Sequence, residues 1–132
     1  ATTLGWAHLQ LGSYAEASRY LSDAVRRFRV SEDATVRMVQ PLVLLAETRT
    51  AQGDLVAARV TANEALSIAK RALGGLGHTE WMGLSLLSLA KLERASGDLP
   101  QARAVALQAA EHMRASSGES SIAHRAAAQL AK

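Results

Sequence analysis

Side chains able to do acid–base, nucleophilic or metal chemistry are few in this 132-residue chain, and their spacing does not suit it. The four histidines, His8, His78, His112 and His124, stand far apart, and none belongs to a His-Glu-x-x-His or comparable ligand pattern. His78 and His112 read as capping or surface residues. The absence of cysteine excludes thiolate zinc, iron–sulfur ligation, a disulfide scaffold and a thiol nucleophile. Gly74-Gly75-Leu76-Gly77 has the composition of a phosphate loop, but no strand pattern precedes it and no Gly-Lys-Ser/Thr follows, so it reads as a loop between helices. Ser116, Ser117, Ser120 and Ser121 have no base arranged beside them and read as loop and cap residues. The expectation is a chain that is not an enzyme, with no catalytic residue, cofactor or metal.

Charge offers a second kind of chemistry. Fifteen basic residues against twelve acidic give a net charge of +3, with a pI near 9.8, which describes a mixed surface more than a polyanion-binding one. Arg26, Arg27, Arg29 and Arg37 cluster, and a helix–turn–helix also joins two helices by a glycine turn. The helices here spend their alanine-rich stripes on packing and carry almost no exposed aromatic or Asn to read bases. Nucleic acid is therefore disfavoured as a partner, and the arginines read as a solvated patch.

The elements that must position any site follow from composition and repetition. The chain is 48% hydrophobic but only 4% aromatic, which points to closely packed Ala, Leu and Val helices rather than a sandwich or barrel. Three segments align: Leu4 to Ala17, Leu45 to Ala58 and Leu89 to Ala102, with Gly12, Gly53 and Gly97 at offsets of 41 and 44 residues. Beyond each glycine, Tyr14, Ala17, Leu21, Ala24, Val25 and Phe28 map onto Leu55, Ala58, Ala62, Ala65, Leu66 and Ala69. They map again onto Leu99, Ala102, Ala106, Ala109, Ala110 and Met113, so that all eighteen positions are apolar. Steps of three and four define one face of a helix.

A second helix lies before each glycine. Its buried stripe is read from Ala1, Leu4 and Gly5, from Leu42, Leu45 and Ala46, and from Leu86, Leu89 and Ala90. Each repeat is thus a helical hairpin, with Gly in the left-handed position and Ser13, Asp54 or Asp98 capping the helix that follows. Small residues at Ala17, Ala58 and Ala102 let the paired helices approach closely. Pro100 fits the first turn of its helix.

These residues resemble the tetratricopeptide repeats. The shared pattern is a Leu with a small neighbour, a Gly-Asp-Tyr type turn, and two fixed alanines in the second helix: Leu4/Gly5, Gly12/Tyr14, Ala17 and Ala24; Leu45/Ala46, Gly53/Leu55, Ala58 and Ala65; Leu89/Ala90, Gly97/Leu99, Ala102 and Ala109. The long offsets look like the subclass found in kinesin light chains and bacterial MalT-like regulators. The stretch Ala65 to His78 is similar to that subclass's end-of-repeat segment. The resemblance implies an all-α, right-handed superhelical solenoid of antiparallel hairpins. It would form a single domain over 1–132, with repeats near 1–30, 33–73 and 79–116 and an extra capping helix over 120–132 that presents Ile122, Ala126 and Leu130.

The chain departs from that pattern in three places. His8, Arg49 and Glu93 stand where an aromatic is usual. The customary Pro between repeats is missing. Pro41 instead falls inside a helix expected to begin near Asp33, which it should kink or delay.

The resemblance also implies a concave wall built by the first helices. Projected onto this chain, its positions are Thr2, Trp6, Leu9 and Gln10, then Val43, Glu47 and Thr50, then Leu87, Lys91 and Arg94. They lack the Lys and Asn set of the carboxylate-clamp variety. Stacked first helices should bring Glu47 towards Lys91 and Arg49 towards Glu93. The function expected is non-catalytic binding of a protein or peptide segment, the alternative being a ligand- or peptide-sensing module of a bacterial transcriptional regulator. No apolar run reaches the ~18–20 residues that span a bilayer, and the first residues lack a secretory pattern, so a cytoplasmic location with no membrane partner is expected. The missing initial Met suggests a piece of something larger, and an uncovered first helix with Leu4, Trp6 and Leu9 suggests weak homodimer formation.

Overall fold

The computed structural model describes residues 2–30, 36–73, 80–117 and 128–131. Six α-helices run in order, α1 (Thr2–Gln10), α2 (Tyr14–Val30), α3 (Val39–Ala51), α4 (Leu55–Leu73), α5 (Glu80–Ser96) and α6 (Leu99–Ser117), with a 3₁₀ turn at Val36–Met38 before α3. No strand occurs among the described residues. The helices pair as α1/α2, α3/α4 and α5/α6.

Each hairpin turns the same way because each carries the same local chemistry. Gly12, Gly53 and Gly97 have φ of 77°, 82° and 91°, a left-handed conformation that only glycine adopts without strain. The residue after each glycine returns its N–H to the carbonyl five positions back: Ser13 to His8 at 2.8 Å, Asp54 to Arg49 at 2.9 Å and Asp98 to Glu93 at 3.0 Å. That bond and the glycine's own N–H, donated three residues back, close the ending helix as a Schellman motif. The same two aspartates open the next helix. Asp54 accepts the N–H of Ala57 and Asp98 that of Gln101, at 3.3 and 3.2 Å.

Two cores follow, one at each junction between hairpins. Ala17, Leu21 and Val25 of α2 meet Met38, Val39, Leu42, Val43 and Leu45, closed by Ala65, Ile68 and Ala69 of α4. Ala46, Ala58 and Ala62 meet Leu86, Leu87, Leu89, Ala90 and Leu92 of α5, together with Val105, Ala106, Ala109 and Met113 of α6. The alanines set the interhelical distance. A Cβ on Gly5 would stand 2.5 Å from Leu21 Cγ, and one on Gly83 2.7 Å from Met113 Cγ. Buried hydroxyls of Thr48, Thr61, Ser85 and Ser88 donate to carbonyls of their own helices, so their burial leaves no orphan donor.

One expectation for the first helices needs correction. Leu4 does not belong to a buried stripe: it is 51% exposed, because α1 has neighbours on one side only. Pro41, expected to kink the helix or delay its start, stands in the first turn of α3, which begins at Val39, where no intrahelical partner for an N–H exists. The expected start near Asp33 and most of the expected helix 120–132 lie outside the described residues. Of that helix only 128–131 is described, and Leu130 and Ala131 pack on the second core.

Candidate binding face

α1 lies against α3, and α3 against α5, so equivalent positions of the first helices form rows across one layer. One row holds Trp6, Glu47 and Lys91. Trp6 is half exposed, and Lys91 Nζ donates to Glu47 Oε1 at 3.0 Å across the junction. The next row holds Leu9, Thr50 and Arg94. Leu9 leans partly into the first core, Thr50 spends its hydroxyl on the carbonyl of Ala46 at 2.9 Å, and Arg94 is exposed. Gln10, at the end of α1, is exposed.

Val43 and Leu87 do not line this face. They are 5% exposed each and sit in the two cores, because the neighbouring hairpin covers the side of the helix from which they project.

The row next to the turns also departs from expectation. Arg49 and Glu93 do not pair with each other. His8 stacks on Tyr20 of α2, with ring centroids 5.4 Å apart and planes 10° apart, and leaves a buried Nδ1 without a partner. Arg49 donates to the hydroxyl of Thr61, which stands in α4 where Tyr20 stands in α2. Glu93 instead reaches back to Arg59 of α4, and this pair ties the second hairpin to the third. The Glu93 hydrogen bond holds the Arg59 guanidinium above its ordinary pKa against the opposing cost of burial, helped by the charges of Glu93 and Asp98. A value raised on folding contributes stability that is lost only as pH rises through it, so the pair acts at full strength across neutral pH.

Several arginines pair with acids of the fold. Asp23 pairs with both Arg26 and Arg27, Glu64 binds Arg29 through both carboxylate oxygens at 2.8 and 2.7 Å, and Glu16 holds Arg19. Three of the four arginines of the sequence cluster thereby form exposed ion pairs, and Arg37 is exposed. Among the described residues, no group of three or more His, Cys, Asp or Glu could hold a metal ion, and no helix is long and apolar enough to cross a membrane.

Arg59 and Arg103 were not singled out by sequence reasoning. Both stand five residues after a capping aspartate, Asp54 or Asp98, and the repeat alignment itself carried that signal. Comparison with family models, curated proteins and solved structures found no match.

Proposed function

We propose that this chain is a tetratricopeptide-type repeat array, a right-handed superhelix, that holds an extended protein or peptide segment along its first helices and performs no chemistry of its own. The observation that carries the reading is the first-helix layer. α1, α3 and α5 pack side by side, while α2 and α4 each lie against the first helix of their own hairpin and also against that of the hairpin after it, α2 on α3 and α4 on α5. Stacking of that kind bends an array with its first helices on the inner wall. The wall offers an aromatic anchor at Trp6, amide and hydroxyl groups at Gln10 and Thr50, and a charged end at Glu47, Lys91 and Arg94. A half-exposed Trp beside polar neighbours has the composition of a binding hot spot.

Peptides selected from a random library on the immobilised protein supply the test, with amide hydrogen exchange to locate them. Slowed exchange in α1, α3 and α5 with α4 and α6 unchanged is the expected outcome. Protection confined to the second helices would move the site to the opposite face.

A further inference from the structure

We propose that the pocket between the α5–α6 turn and residues 128–131 is a slot for a carboxylate side chain of a bound acidic peptide, held by Arg94 and Arg103. The pocket has a volume near 300 Å³ and is lined by Arg94, Leu99, Ala102, Arg103, Gln129 and Leu130. Two exposed arginines therefore line one concavity together with apolar side chains. The inference rests on the peptide-binding reading and names the chemistry of one subsite within it.

The chain contains its own precedent for what belongs there. Arg59 and Arg103 occupy equivalent places, each five residues after the aspartate that caps its helix. Arg59 meets a carboxylate, Glu93, supplied by the first helix of the following hairpin and 7% exposed. Beside Arg103 stand Gln129 and Leu130, neither of which is an acid. Among the described residues Arg103 has no such carboxylate, and it lines a pocket.

Among the described residues, the acids at the α5–α6 turn are already engaged. Glu93 serves Arg59, and the Asp98 carboxylate accepts the N–H of Gln101. Neither Arg94 nor Arg103 forms an ion pair among the described residues, whereas Arg19, Arg26, Arg27, Arg29, Arg59 and Arg114 all do. Two planar guanidinium forks against one carboxylate give short, charge-assisted hydrogen bonds that a lysine pair would not match. The floor of Leu99, Ala102 and Leu130 rewards an apolar side chain next to the acid, which a free inorganic anion does not bring. In an extended peptide, residues two apart share a face. The slot therefore selects Asp or Glu two positions from Leu, Ile, Val or Met.

The test uses a phage-displayed library of random twelve-residue peptides selected on the whole chain, with binding of enriched peptides read by fluorescence anisotropy. Enrichment of the acid-x-apolar or apolar-x-acid pattern is expected. Arg94→Gln/Arg103→Gln should weaken those peptides about tenfold or more, and replacing the peptide acid by its amide should then cost nothing further. Both arginines are exposed, so an unchanged melting temperature will certify the fold of the variant. Unaltered affinity in the double variant, no acidic enrichment, or displacement by inorganic phosphate alone in place of any peptide preference would each overturn the slot. Peptides that depend on Trp6 and Gln10 but ignore both arginines would overturn the slot and leave the wall reading intact. Peptides that need both arginines but slow no exchange in α1 and α3 would do the reverse.

Discussion

α1 and α5 occupy equivalent places in the first and third hairpins and share the same Leu-plus-small signature, yet they live in different environments. In α1, Gly5 alone is buried among residues 3–10, and Leu4 and Trp6 each leave half their surface in water. In α5 an unbroken run from Ser85 to Ala90 is buried, and Leu92 and Glu93 follow it. The difference lies in the neighbours. Among the described elements α5 packs against α3, α4 and α6, while α1 packs against α2 and α3. Local sequence shapes a hairpin, and the adjacent hairpins then decide how much of it is dry.

The widest gap between these regions should appear at one alignment position. Leu89→Ala should cost about 2–5 kcal/mol through lost burial and the cavity left behind, with Leu45→Ala similar, whereas Leu4→Ala should cost about 1 kcal/mol or less. Urea unfolding of the three variants measures this, and equal losses at Leu4 and Leu89 would erase the contrast. Smaller effects follow from the close helix contacts. Ala58→Leu in the middle hairpin, and Gly5→Ala against Leu21, should each lower stability by ~1–3 kcal/mol through overpacking, read as a fall in melting temperature. An unchanged value for Ala58→Leu would mean that the alanine does not set the distance between α3 and α4.

Junction charges come next. Glu93→Gln should cost roughly 1–3 kcal/mol, since a buried charge-assisted hydrogen bond is weakened, and thermal unfolding at pH 7 will read the loss. Lys91→Ala removes a part-exposed pair and should cost only ~0–1 kcal/mol, with the deficit shrinking further in 1 M salt. A Lys91 effect as large as that of Glu93 would show that the wall, and not the buried row beside the turns, locks the hairpins together.

The sequence made the hairpins plain and the junctions obscure. Gly12, Gly53 and Gly97, with Ser13, Asp54 and Asp98 after them, announced the turns because left-handed glycine and a capping oxygen are demands of the backbone within a few residues. The alanine stripes of α4 and α6 were equally legible, since helical periodicity is also local. Of the two charge pairs anticipated across the wall, Glu47 with Lys91 formed, but Glu93 went to Arg59. That choice depends on how far α4 leans towards α5, which no spacing within one repeat encodes. Val43 and Leu87 were assigned to the face for the same reason: their periodicity fits either side of the helix until a neighbouring hairpin covers one. The slot at Arg103 was hidden because it joins residues from α5, α6 and a segment some thirty positions further on.

The turn glycines have a consequence of handedness. A Cβ built on Gly12, Gly53 or Gly97 meets no atom within 4 Å, so space is not what demands glycine there. Only the sign of φ forbids an ordinary alanine, and a residue of opposite chirality prefers that sign. D-alanine installed at the three turns by chemical synthesis would fit the native backbone while narrowing the conformations open to the unfolded chain. Each replacement should then stabilise the fold by about 0.4–1 kcal/mol, whereas L-alanine at the same places should destabilise it. The sensitivity of these turns would be stereochemical, and three mirror-image methyl groups would make a stiffer array without altering a single packed contact.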